Sequence, residues 1–137
     1  MPHITHDQFT SRFTSLMLGG RDLPKKEQDL HLLFISAILN LEHQHQYSEA
    51  DLNEVLRQWT DQFGVNFALD HVTLRRYLID ARYIRRNPAG SAYQLNTKDL
   101  PYTYDETLKS MDLGKLLADA RSEREERKQR YMKDSKR

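Results

Sequence analysis

The sequence predicts a mainly α-helical chain of the winged helix-turn-helix class, with a helical core, a β-hairpin wing and an added C-terminal helix. Three observations carry that expectation. Apolar residues recur at helical spacing in four successive stretches between Phe9 and Ala81. The fourth stretch is followed by two short extended runs around an Asn87-Pro88-Ala89-Gly90 turn. Basic charge gathers on that fourth stretch and the turn, whereas the stretch before it is acidic. A length of 137 residues fits one domain of ordinary size.

The first helix, near residues 5–18, opens with Thr5 and Gln8 at capping-box spacing. It carries Phe9, Phe13, Leu16 and Met17 and stops at Gly19-Gly20. The second, near 24–41, has Pro24 in its first turn and a stripe of Leu30, Leu33, Phe34, Ala37, Ile38 and Leu41. Leu32, Ile35 and Leu39 lie off that stripe, so this helix needs cover on more than one side, at the domain centre or a dimer seam. The third, near 48–62, begins at Ser48 and presents Leu52, Val55, Leu56 and Trp59. The fourth, near 70–81, is capped by Asp70 and turns Leu74, Tyr77, Leu78 and Ala81 inward. A wing over 83–95 follows. Beyond Leu100, Pro101, Tyr102 and Tyr104 form a link, and Asp112 can cap a helix with Leu113, Leu116, Leu117 and Ala120 on one face. After Arg121 that face disappears. The pairs Glu123–Arg127 and Glu126–Arg130 contribute only about 0.2–0.5 kcal/mol each, so a frayed end is expected. The chain therefore divides into an N-terminal helix and linker (1–22), a winged-helix domain (23–95), and a linker with a basic C-terminal helix or tail (96–137).

The formal net charge is only +1, but it is unevenly spread. Between Glu42 and Asp70, six acidic residues face Arg57 alone, a local charge of −5. From His71 to Ser91, five arginines face Asp80, a local charge of +4. Residues 121–137 carry eight basic and four acidic side chains, again +4. Arginine suits nucleic acid because its guanidinium is permanently charged and forks onto phosphate or the O6/N7 edge of guanine. On a helical wheel with Leu74 and Leu78 inward, Arg76 projects nearly opposite the core, and Arg75 and Arg82 lie on a flank about 100° away. Thr73, Arg75 and Arg76 are therefore candidates for the DNA groove, with Arg76 on a base edge, and Arg82, Arg85 and Arg86 for phosphates. A structural use competes: Arg76 and Asp80 stand at i, i+4 and could pair. Val72 and Ile79 also face outward, pointing to a protein contact or to thymine methyls.

The residues Tyr47-Ser48-Glu49, Leu52-Asn53, Leu56, Asp70, Leu74-Arg75-Arg76, Leu78-Ile79-Asp80, Tyr83-Ile84, Arg86, Gly90 and Tyr93, preceded by Leu23-Pro24-Lys25-Lys26, form a combined pattern. It resembles the domain of unknown function family 2087 over about residues 23–95. The resemblance implies a winged-helix module of the kind attached to arsenic-repressor-type transcriptional regulators, and hence a role in transcription. The sequence departs from the family in carrying Arg82 where a Gly is frequent, and in a long Gln62-to-Leu69 connection.

Other chemistries find little support. The chain has no cysteine, which excludes a disulfide framework, a thiolate metal site and a cysteine nucleophile. His43 and His45 form a His-x-His without further ligands at metal-site spacing, so no metal or other cofactor is expected. Glu49, Asp51 and Glu54 are first-turn charges that complement a helix dipole rather than an acid/base pair. There is no phosphate-binding glycine loop or nucleophile elbow, and an enzyme is not expected. The longest apolar run, Leu32 to Leu41, is far shorter than the roughly 20 residues that span a bilayer, and Met1 to Gln8 does not resemble a signal peptide. The expectation is a cytoplasmic regulator that binds double-stranded DNA as a homodimer, with a protein partner for the C-terminal helix. The alternative is a winged-helix protein-interaction module; an RNA-binding variant lacks an aromatic platform.

Overall fold

In a computed structural model, residues 2–20 and 22–134 are described. Met1, Arg21 and residues 135–137, the ends and linker of the expected N- and C-terminal segments, lie outside the described residues. The elements follow in order: β1 (His3–Ile4), α1 (His6–Gly19), α2 (Glu27–Ile38), α3 (Glu49–Gln62), α4 (His71–Asp80), β2 (Ile84–Arg86), β3 (Tyr93–Leu95), β4 (Thr103–Tyr104) and α5 (Leu113–Asp134). Short 3-10 turns at Gly64–Phe67 and Glu106–Ser110 complete the set. The fold is mainly helical with a small antiparallel hairpin, compatible with a winged helix plus a C-terminal helix.

Thr5 and Gln8 form the capping box of α1: the Thr5 hydroxyl accepts from the Gln8 N–H (3.2 Å), and the Gln8 side chain accepts from the Thr5 N–H (3.0 Å). Helix α2 is the centre of the molecule, with every residue from Leu32 to Ile38 buried within the one chain. This assigns its all-round apolar surface to the domain core rather than to a dimer seam. Its start is shifted: Pro24 precedes the helix, Lys26 is the N-cap, and Glu27 and Asp29 supply the acidic first turn. It ends at Ile38, and Leu39 and Leu41 are buried in the following turn. Asp29 receives a bidentate grip from Arg12 of α1, Nε to Oδ1 at 3.1 Å and Nη2 to Oδ2 at 2.8 Å.

Trp59 is a core residue whose Nε1 donates to the Ser36 hydroxyl at 3.1 Å. The long connection after α3 is filled by the 3-10 turn, which buries Phe63 and Phe67 and leaves Ala68 left-handed at φ 51°. Tyr77 departs from expectation: it lies at the edge of the inward face of α4, half out in solvent, with its ring 6.0 Å from that of Phe34. A tyrosine there covers the core with its ring while its hydroxyl stays in water. Behind it, His31 shares a hydrogen bond of 2.8 Å between Nδ1 and the buried Tyr83 hydroxyl. Burial lowers the His31 pKa against the opposing pull of Glu27 and pushes the Tyr83 phenol up.

Two pairings join distant parts of the chain. An antiparallel bridge between Tyr47 and Tyr93, with N–H to O distances of 2.7 and 2.8 Å, adds a third short segment to the β2–β3 hairpin. Strands β1 and β4 pair in parallel, His3 opposite Thr103, tying the N-terminus to the segment after the wing. Helix α5 packs Leu117 into the core and continues as regular helix to Asp134, where the sequence predicts fraying. An anchored first half removes the nucleation cost, and the pairs Arg127–Glu123 (3.6 Å) and Arg130–Glu126 (3.7 Å) run along the exposed half.

Candidate nucleic-acid interface

The basic face is built on α4. Asp70 caps it, its Oδ1 accepting from the Thr73 N–H at 2.7 Å, and that bond holds the Asp70 carboxyl below its usual range. Leu74 and Leu78 are fully buried, which fixes the roll of the helix and turns Val72 and Arg76 outward. Ile79 departs from expectation: it is half-buried and packs against the core, although it stands about 120° around the helix from the inward face. The helix closes on a Schellman arrangement. The Tyr83 N–H donates to the Leu78 carbonyl (2.9 Å), the Arg82 N–H donates to that of Ile79 (3.0 Å), and Arg82 takes φ 69°. Arg82 thus occupies the left-handed position that glycine favours, and Asn96 Nδ2 donates to its carbonyl at 2.8 Å.

The wing carries the remaining arginines. In β2 Arg86 stands opposite Tyr93 and Arg85 opposite Gln94, so the two arginines point to opposite faces of the hairpin. The tip is set by Asn87, whose Oδ1 accepts from the Ser91 N–H (2.8 Å) and the Ala92 N–H (3.1 Å). Gly90 has φ 72° and lies under the Arg86 guanidinium, so a side chain there meets both a strained backbone and an occupied space.

Between α4 and the wing lies a groove of about 310 Å³ lined by Val72, Arg75, Arg76, Ile79, Asp80, Arg86 and Tyr93. It brings together Arg75, Arg76 and Arg86 of the candidate residues. Arg85 joins Arg86 at a second depression beside the wing tip, while Thr73 sits in the first turn and Arg82 beyond the last.

The three groove arginines differ in circumstance. Arg75 is largely covered, at 17% side-chain exposure. Its Nη1 donates to Asn53 Oδ1 (2.6 Å) and lies 3.2 Å from Glu49 Oε1, and its guanidinium stands 5.7 Å from the centre of the Tyr93 ring. It staples α4 to α3 and β3. Arg76 is exposed, and the i, i+4 pair with Asp80 is not formed; among the described residues it has no ion-pair partner. Tyr93 as groove floor and Asn53 as the anchor of Arg75 are not legible in the sequence, because both act across elements. The histidines are dispersed, and among the described residues no three metal-ligating side chains gather. No helix among the described residues is long and apolar enough to cross a membrane.

Residues 21–95 match the family described as an uncharacterized protein conserved in bacteria, DUF2087. The chain belongs to this family. No curated protein and no solved structure matches it. The DUF2087 segment runs from just before α2 to the end of β3. It therefore contains the whole groove, both of its walls and the Tyr47–Tyr93 bridge, whereas β1, α1, β4 and α5 flank it.

Proposed function

We propose that this DUF2087 chain is a DNA-binding transcriptional regulator that lays α4 in the major groove of a duplex. The observation that carries the reading is Arg76: an exposed guanidinium with no ion-pair partner among the described residues, lining the same open groove as Arg86. Helix α2, the Tyr47 segment, α3, α4 and the hairpin follow one another as the elements of a winged helix do, and α4 stands where such domains carry the recognition helix. In this reading Arg76 meets a base edge and Thr73 and Arg75 line the groove. Arg82, Arg85 and Arg86 hold phosphates, which fix register without reading sequence. Two copies acting as a homodimer double the contact, and the module works without catalysis or cofactor in the cytoplasm.

The test is a titration of a labelled generic duplex with the full chain at two salt concentrations, beside Arg76→Ala and Arg86→Ala. Released counterions make log affinity fall with log salt by about 0.9 per phosphate contacted. Binding that weakens with salt, and with either substitution, supports the reading. Absence of binding at low salt overturns it in favour of a protein-docking use of the same face, the reading that exposed Val72 favours.

A further inference from the structure

The outward surface of α4 is not a plain basic face. Val72, Arg76 and Ile79 fall within an arc of about 60° at helical spacing, and all three line the groove beside the wing. Val72 is 43% exposed although it is aliphatic, whereas Ile79 is half-buried against the core and offers only its groove-lining edge; Asp80 lines the same groove. At about 1.5 Å per residue, Val72 and Ile79 are roughly 10 Å apart along the axis, the length of about three base pairs, with Arg76 between them. A guanidinium with no ion-pair partner among the described residues, flanked along the helix by two aliphatic side chains, matches the major-groove edge of a guanine with a thymine on either side. The guanidinium forks onto O6 and N7, and each aliphatic group packs on a C5 methyl.

Resting on the DNA-binding reading, we infer that this face selects duplexes by thymine methyl groups on both sides of a guanine, Val72 and Ile79 being the specificity-determining contacts and Arg76 the guanine contact. Phosphate-holding arginines supply affinity on any duplex. The aliphatic pair supplies discrimination that no charge can provide.

Duplexes enriched by the full chain from a pool with a randomised centre provide the probe. The expected result is a guanine with thymines one or two base pairs away. Replacing those thymines with uracil, which removes only the methyl, then weakens binding about fourfold per methyl. Val72→Ala, an exposed substitution that leaves the core untouched, abolishes the distinction between thymine and uracil at one of the two positions. Salt-dependent binding of equal strength to thymine and uracil duplexes would overturn the methyl contact and leave the DNA-binding reading standing. No enrichment and no salt-dependent binding to any duplex would overturn both.

Discussion

Arg75 and Arg76 are neighbours in sequence and opposites in circumstance. Arg75 is held by Asn53, Glu49 and the Tyr93 ring, so Arg75→Ala removes a charge-assisted hydrogen bond across two elements. It is expected to lower stability by about 1–2 kcal/mol, read as a shifted denaturant midpoint. Arg76→Ala removes an exposed side chain that makes no ion pair among the described residues and is expected to stay within about 0.5 kcal/mol of the parent while, on the DNA-binding reading, losing duplex affinity. A stability loss for Arg76→Ala equal to that for Arg75→Ala would contradict this division. The sequence places the two residues on different sides of the helix, but it does not contain the partners of Arg75, which come from α3 and β3. A second residue-scale case is Asp105, whose carboxylate accepts from His3 Nε2 (2.6 Å) and the His6 N–H (2.7 Å) and is thereby held below its usual pKa. A depressed folded pKa contributes stability that is complete above the unfolded value near 4 and is lost as pH falls through the folded value. Asp105→Asn should therefore melt below the parent at neutral pH, the gap closing under acid. Thermal midpoints across pH check it, and a constant gap would count against the bond.

At the scale of elements, the C-terminus of α4 is the clearest case of residue and conformation in conflict. Arg82 sits at φ 69° in a Schellman close, a conformation that disfavours any residue with a Cβ. Arg82→Gly is expected to raise stability by about 0.5–1 kcal/mol, measured by thermal melting. If Arg82 also holds a phosphate, the same variant loses duplex affinity, separating the two uses of the position. Helix α5 divides into an anchored half around Leu117 and an exposed half stabilised by weak ion pairs. Removal of everything after Arg127 should lower stability far less than Leu117→Ala, which should cost about 2–4 kcal/mol. Circular dichroism on both variants decides the point. Caps and apolar periodicity announced α1, α3 and α4 because these signals are local. The late start of α2 and the regular end of α5 were hidden because each depends on what the neighbouring turns pack against.

Over the whole molecule, α1, α5 and the β1–β4 pair surround the DUF2087 segment without entering its groove. Charge is divided the same way: α3 carries Glu49, Asp51, Glu54 and Asp61, and α4 with the wing carries the arginines. On the DNA-binding reading, such polarity would orient an approaching duplex even though the net charge is only +1. A single short recognition helix gains limited affinity, so the regulator reading expects a dimer through the first or C-terminal helix. Light scattering at about tens of micromolar should show it, and a strict monomer there would remove the repressor-like form of the proposal.

By itself the sequence determined the helical class, the wing, the buried character of α2 and the reversal of charge between α3 and α4. Each of these is written in residues close together in the chain, as periodicity, capping or turn chemistry. Tertiary structure alone decided that α2 is covered within one chain and that Tyr47 pairs with Tyr93. It likewise decided that β1 meets β4 across some hundred residues, and that Arg75 is tied down while Arg76 is left open. Those facts depend on side chains and backbone groups brought together from distant parts of the chain, where no local spacing records which donor will find which acceptor.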